Sequence, residues 1–326
     1  MILDGRDPAS ITRAASALAA GELAALPTET VYGLAARADD DAAVAKIFAA
    51  KGRPADHPLI VHVSDAAGAQ AFAAELPPQA RRLIDAFWPG PLTVIVPRRP
   101  GIAAAAAGGQ DTIGLRCPAH PLAHAVLVAA SALGVPGVAA PSANRFGRVS
   151  PTRAAHVAEE FGAELLVLDG GDCDVGIESS IVDCSRGHAA LLRPGLITPE
   201  RIEAVLGEPL RAPDAQAPRA SGTLEAHYAP SAPVRLFDSA ALAERLARQQ
   251  RLDGVAVYSR SPLVPSGPLA RRMPETAAAA AHELFAALRE LDAAGAREIW
   301  IESPPPGSDW DGVRDRLRRA AAAHAG

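Results

Sequence analysis

The sequence predicts an α/β protein, a twisted mixed sheet followed by a smaller α/β unit. Three observations predict it. Short apolar runs alternate with helix-length stretches along the chain, the pattern of helices packed on a sheet. At 326 residues the chain can bury two cores rather than one. Between residues 207 and 230 both periodicities lapse into proline, alanine and polar residues, which marks a linker.

The elements follow in order. Residues 10–20 read as a helix, with Ser10 or Asp7 as its cap and Gly21 as its stop. A strand over 22–26 ends in Pro27-Thr28-Glu29-Thr30. Asp39-Asp40-Asp41 places negative charge where the dipole of a helix over 41–50 favours it, and Lys51-Gly52-Arg53-Pro54 forms the loop that ends this helix. A strand over 59–63 and helices over 66–74 and 78–87 come next. Pro89-Gly90-Pro91 then forces a turn before strands over 92–96 and 112–115. A helix over 122–132, a buried strand over 137–140 and a helix over 152–161 lead to strands over 165–168, 180–183 and 190–193. Beyond the linker, strands over 234–237, 254–258 and 298–302 alternate with helices over 240–250, 275–291 and 312–323, as in a small parallel α/β domain.

Composition excludes several function classes. With 49% hydrophobic and 21% charged residues the chain is neither disordered nor fibrous. A net charge of −5 gives no bulk attraction to nucleic acid, so RNA binding would have to come from a local patch and be weak. Cys117, Cys173 and Cys184 are odd in number and lack zinc-site spacing, which fits small residues in a reducing compartment. No signal peptide and no membrane span is visible, so a cytoplasmic protein without a membrane partner is expected. Only Lys46 and Lys51 among 32 basic residues are lysine, a hint that ammonium chemistry matters in the loop that keeps Lys51.

Four polar clusters sit where strands end, the place where open α/β sheets bind ligands. Thr28-Glu29-Thr30 with Tyr32 crowds hydrogen-bonding groups into one turn, which could equally be only a polar turn. Lys51 and Arg53 suit a polyphosphate, one as a point charge and one as a fork; the alternative is a solvated basic loop. His62, on alternate spacing from Ile60, is a core residue or a substrate contact. Arg116 leaves an apolar strand and needs an anion, either an internal Asp or Glu or a substrate carboxylate. The fourth cluster joins 140–150, 176–183 and 192–195, where small hydroxyl residues let backbone N–H groups approach phosphate. Phosphate-loop, dinucleotide, zinc-protease and nucleophile-elbow motifs are all missing.

In this order the clusters resemble the YrdC-like family of threonylcarbamoyl-AMP synthases. The likeness runs through Leu26-Pro27-Thr28-Glu29-Thr30-Val31-Tyr32-Gly33-Leu34, Lys51-Gly52-Arg53-Pro54, Pro58-Leu59-Ile60-Val61-His62 and Trp88-Pro89-Gly90-Pro91-Leu92-Thr93. It continues through Gly114-Leu115-Arg116-Cys117-Pro118, Pro141-Ser142-Ala143-Asn144, Glu178-Ser179-Ser180-Ile181-Val182-Asp183 and Arg193-Pro194-Gly195. His227-Tyr228-Ala229-Pro230 is similar to the linker motif of the long form. Where that form commonly has Ser-Pro-Gly-Met, this chain has Ala220-Ser221-Gly222-Thr223-Leu224.

The resemblance implies a YrdC-like catalytic domain with a concave cavity over 1–206, a linker or lid over 207–230, and a small Rossmann-like domain over 231–326. It implies synthesis of threonylcarbamoyl-AMP and pyrophosphate from L-threonine, bicarbonate or CO2, and ATP. The product would serve N6-threonylcarbamoyladenosine modification of tRNA beside the anticodon, through downstream tRNA threonylcarbamoyl-transferase proteins. It places threonine at Thr30, His62, Arg116, Ala140 and Ser180. It places ATP at Lys51, Arg53, His57, Thr112, Ser142, Asn144, Ser150 and Arg193, with Tyr228 closing over the nucleotide. Lys51 and Arg53 would carry the catalytic charge stabilisation. Mg²⁺ is expected with ATP, with no protein ligand identifiable. Two rivals remain, a carbamoyl-transfer domain of related fold and a non-catalytic RNA-binding module.

Overall fold

The structure, a computed structural model, describes residues 1–248, 252–264 and 266–324. The chain divides into two units, Met1–Phe146 with Pro151–Thr223, and Gly147–Ser150 with Leu224–Gly326. The division thus falls within the expected linker, and a four-residue loop of the first half of the sequence groups with the second unit.

The first unit contains β1 (Ile2–Asp4), α1 (Pro8–Ala19), β2 (Ala24–Leu26), β3 (Gly33–Arg37), α2 (Asp41–Lys51), β4 (Ile60–His62), α3 (Ala66–Ala69) and α4 (Pro78–Phe87). It continues with β5 (Leu92–Pro97), β6 (Thr112–Arg116), α5 (Pro121–Ala132), β7 (Val138–Ala139), α6 (Ala154–Phe161), β8 (Leu166–Asp169), β9 (Ser180–Asp183), β10 (Ala190–Arg193) and α7 (Pro199–Leu206). Local chemistry starts the helices as expected. Asp7 accepts from the Ala9 N–H ahead of α1, and Asp40 from Ala42 and Ala43 ahead of α2. Gly52, left-handed at φ 63, closes α2.

Ten strands form one sheet in the order β1-β8-β2-β3-β7-β4-β6-β5-β9-β10. Parallel pairs (β1–β8, β2–β8, β4–β6, β5–β9) mix with antiparallel ones, so the mixed sheet expected from the sequence is present. Strand pleating decides what each face does. On one face Val61, Val94, Leu115 and Val182 join residues of α2, α4 and α7 in the main core. On the other face α1 and α5 cover one half, packing Leu18, Val126 and Leu127 on Leu26, Ala35 and Val138. The remaining half of that face, around Ile60, Ile95 and Ile181, carries no helix of its own.

The second unit contains β11 (Val234–Phe237), α8 (Ser239–Arg248), β12 (Val255–Ser259), β13 (Ala270–Arg272), α9 (Ala277–Ala293), β14 (Glu298–Glu302), a one-turn 3₁₀ helix (Ser308–Trp310) and α10 (Asp311–Ala322). Its strands run parallel in the order β11-β14-β12-β13. At their carboxyl ends the buried Glu302 accepts from Ser239 Oγ and Ser259 Oγ (both 2.6 Å) and from the Arg260 N–H (2.8 Å), a satisfied network.

Several elements differ from the sequence expectation. β1, β3, β13 and α7 were unforeseen, because three are very short or alanine-rich and α7 lies beside the proline-rich linker. The helix expected over 66–74 stops at Ala69. The last two residues of the helix expected over 240–250 lie outside the described residues. Lys51 is the last residue of α2 rather than part of a loop.

Candidate active site

The uncovered half of the first sheet is the floor of the site. Alternation turns Ile60, Ile95, Thr112 and Gly114 toward a recess and their neighbours toward the core. Linker residues Arg219, Ala220 and Ser221 form the opposite wall. Hydrogen bonds and an ion pair latch them. Arg219 Nη1 pairs with Asp56 (3.1 Å), the Arg219 N–H donates to Gln110 Oε1 (2.8 Å), and Arg193 Nη1 donates to the Ser221 carbonyl (2.7 Å). The space left is about 10 Å³, room for one water, so the segment fills a cleft rather than bordering one.

At the carboxyl ends of the parallel strands β4 and β6, His62 and Arg116 are register partners and share the floor face. Both are buried. Arg116 Nη2 donates to Glu29 Oε1 at 2.6 Å and Nε to the Gly90 carbonyl at 3.2 Å. The second carboxylate oxygen of Glu29 accepts from the Ala119 N–H (3.1 Å). The anion that Arg116 requires is therefore internal, and among the described residues Nη1 makes no hydrogen bond and forms the open edge of the guanidinium. Thr30 follows Glu29 and is held by Thr28, whose hydroxyl lies 2.8 Å from that of Thr30. The Ala140 N–H donates to the Ile60 carbonyl (3.0 Å), which sets Ala140 beside β4. The Ser180 N–H donates to the Pro91 carbonyl (3.0 Å), in the same turn that Arg116 grips through Gly90. The Ser180 hydroxyl donates to the Ile197 carbonyl (2.9 Å), on the core side of β9, so only its backbone faces the floor.

Tight backbone approach holds that turn. A Cβ on Gly195 would stand 2.5 Å from Ser180 N and 2.9 Å from the Glu178 carbonyl oxygen, neither of which can yield. Gly195→Ala is expected to destabilise the fold by about 1–3 kcal/mol and to lower turnover, as thermal melts and steady-state kinetics would show. A melt within half a degree of the parent would refute the steric account.

Lys51 points inward. Its ammonium donates to the carbonyl oxygens of Ser142 (2.6 Å) and Asn144, and the Phe146 N–H returns a bond to the Lys51 carbonyl (2.8 Å). The solvated-loop alternative is excluded, since Lys51 is 3% and Arg53 8% exposed. Burial, with the charge of Arg53 added, drives Lys51 well below the usual lysine range, while Glu160 and Glu178 oppose this. Arg53 donates to the Pro58 carbonyl (2.9 Å) and lies over the Phe146 ring, which His57 meets edge-on. Burial and then Arg53 lower the proton affinity of His57. Thr112 opens β6 at the recess. Arg193 reaches Ser179 through Nε to its carbonyl (3.0 Å) and Nη2 to its hydroxyl (3.1 Å), and Ser179 also meets Thr93 (2.8 Å).

The first unit therefore sets His62 and Arg116 side by side, Thr30 next to the Glu29 that pairs with Arg116, and Ser180 beside the turn that Arg116 grips, while Ala140 packs in the core under α1 and α5; Lys51, Arg53, His57, Thr112, Ser142, Asn144 and Arg193 lie in the same unit. Ser150 and Tyr228 belong to the second unit. Tyr228, left-handed at φ 62 and 1% exposed, stacks on Phe285 (5.4 Å) under Arg316 (5.5 Å). Sequence reasoning gave no role to Glu29 or to the latch formed by Asp56, Gln110 and Arg219. The sequence placed Glu29 in the right turn; nothing in it paired that acid with a residue 87 positions away.

Residues 16–195 match the family model described as Telomere recombination (Sua5, YciO, YrdC), and residues 197–322 match the model for the threonylcarbamoyl-AMP synthase C-terminal domain. The chain belongs to the threonylcarbamoyl-AMP synthase family, in its two-domain form. It is 37% identical to the threonylcarbamoyl-AMP synthase of Pyrococcus abyssi over 94% of this chain and 93% of that one. It is 38% identical to that of Bacillus subtilis over 98% and 94%. The crystal structure of P. abyssi Sua5 complexed with L-threonine superposes with a TM-score of 0.86 at 36% identity, covering 96% of this chain and 94% of that one. These likenesses span both units, as a two-domain member of the family requires.

Proposed function

We propose that this protein joins L-threonine, bicarbonate and ATP into threonylcarbamoyl-AMP, releasing pyrophosphate. The observation that carries the reading is the pairing of His62 and Arg116 on the uncovered floor. A buried guanidinium already neutralised by Glu29 keeps Nη1 open for a carboxylate, and a second polar side chain stands beside it. The relative from P. abyssi, whose structure holds L-threonine, supports threonine as the acid bound.

Arg116 fixes the threonine carboxylate, while Thr30 and the backbone at Ala140 and Ser180 read its remaining polar groups. Lys51 and Arg53 offset the charge that develops as the N-carboxylate of threonine attacks the α-phosphate and pyrophosphate leaves. His57, Thr112, Ser142, Asn144 and Arg193 hold the nucleotide in this reading. Residues 219–221 exclude water from a carbamate that would otherwise lose CO2.

Among the described residues no group of three His, Cys, Asp or Glu side chains could hold a metal ion. A Mg²⁺ arriving with ATP would contribute charge neutralisation at the phosphates. No step here depends on it. No helix among the described residues is long and apolar enough to cross a membrane. The three cysteines are unpaired and buried, in keeping with cytoplasmic work. The product would pass to proteins that transfer the threonylcarbamoyl group to tRNA adenosine.

The test is pyrophosphate release from ATP, Mg²⁺ and bicarbonate with and without L-threonine. Threonine-dependent release is expected. Release indifferent to threonine would point to another acceptor, and no release with salt-sensitive RNA binding would favour a binding module.

A further inference from the structure

We propose that His62 is the proton acceptor that frees the threonine amine for carboxylation, a catalytic role that rests on the reading above and goes beyond holding the substrate. The residue is 5% exposed. Among the described residues neither ring nitrogen has a hydrogen-bond partner, and neither is sealed from solvent, so both stay open to a ligand. The other polar side chains of the floor are engaged: Arg116 with Glu29 and Gly90, Thr30 with Thr28. Beside the open Nη1 of Arg116, His62 offers an acceptor that has no partner among the described residues.

Position says which group. Neighbouring strands lie about 4.8 Å apart, and His62 and Arg116 stand side by side across that gap. An α-amino acid carries its ammonium one carbon from its carboxylate. With the carboxylate on the open edge of Arg116, the ammonium falls against the imidazole. Electrostatics set the timing. Burial first, and the positive charge of Arg116 second, hold the proton affinity of His62 well below that of ordinary histidine, so the ring enters the cycle neutral. Glu29 reaches it only through Arg116, and β7 presents the apolar Val138 in register. The neighbouring Cys117 thiol, pushed up to about 11, is uncharged. A bound carboxylate adds negative charge beside the Arg116–Glu29 pair, so the imidazole becomes a stronger base only once threonine is in place.

The step balances. The imidazole lone pair takes one proton from the ammonium, and the N–H bonding pair becomes the amine lone pair. That pair attacks the carbon of bicarbonate, forming the N–C bond. The bond from carbon to the bicarbonate hydroxyl breaks, and the hydroxide leaves with an amine proton as water. The product is the N-carboxylate, and the one proton held by His62 returns to solvent.

The experiment compares His62→Gln and His62→Asn with the parent by threonine titration calorimetry and by pyrophosphate release across neutral to alkaline pH. Threonine affinity should change by less than about tenfold while kcat near neutrality falls about 10²–10⁴-fold. The deficit should shrink toward alkaline pH, where solvent deprotonates the amine. A raised KM for threonine with kcat intact, or a kcat deficit equal at every pH, overturns the proposal. Should neither variant fold, the ¹⁵N signals of His62 in the parent decide. Protonation at higher pH with threonine bound than without supports the role; an unmoved titration overturns it. If the parent itself releases no pyrophosphate on adding threonine, the underlying reading has failed, which is a separate result.

Discussion

Arg116→Ala should abolish measurable threonine-dependent turnover and also weaken the fold. Two buried charges, Arg116 and Glu29, neutralise each other at 2.6 Å. Removing one partner of such a pair costs about 3–5 kcal/mol, a factor of about 10²–10⁴, because the other is left charged in a dry place. Loss of activity alone would therefore not distinguish a substrate contact from a structural one. The double variant Arg116→Met with Glu29→Gln separates them. Both charges are gone, so the melting temperature should recover most of the loss, while KM for threonine stays raised by about 100-fold or more, the scale of a lost charged contact. If turnover returns with stability, Arg116 is only a strut for the Glu29 turn.

Lys51→Met is expected to move activity and stability in opposite directions. Loss of a charge-stabilising donor from a transition state typically lowers kcat about 10²–10³-fold. Stability, however, should rise near neutral pH. Lys51 is held well below its ordinary value of 10.5 by burial and by Arg53. Between the folded and unfolded values the unfolded chain binds a proton that the folded chain does not. Stability of the parent therefore increases with pH through that window and levels off above the unfolded value. Lys51→Met removes this contribution. Urea denaturation at neutral and alkaline pH should show a flatter pH dependence and a higher midpoint at neutral pH. A variant less stable than the parent at neutral pH, with the slope unchanged, would mean that Lys51 is charged and satisfied by its two carbonyl partners.

The same two residues show how far the sequence reaches. A helix dipole and a glycine stop are local, so α2 and its end at Gly52 could be read from Asp40-Asp41 and Lys51-Gly52. Local rules place cations at such an end in water. Only packing against the 142–144 turn draws Lys51 inward, since its partners lie more than ninety positions on. The strands were legible as apolar runs, but not which face of each was core. Ile60 and Val61, or Thr93 and Val94, read alike in a run; the absence of a helix over half of one sheet face makes one of each pair floor and the other core.

By itself the sequence determined the α/β class, most helices and strands, and the break between two units, because these follow from periodicity, capping and ordered motifs. Tertiary structure alone decided that Arg116 is met by Glu29, that Ser180 offers its backbone rather than its hydroxyl, that His62 has no partner among the described residues, and that residues 219–221 lie across the floor. Each of these depends on which distant segments become neighbours, and on desolvation, which changes the energy of a charge only once those neighbours have displaced its water.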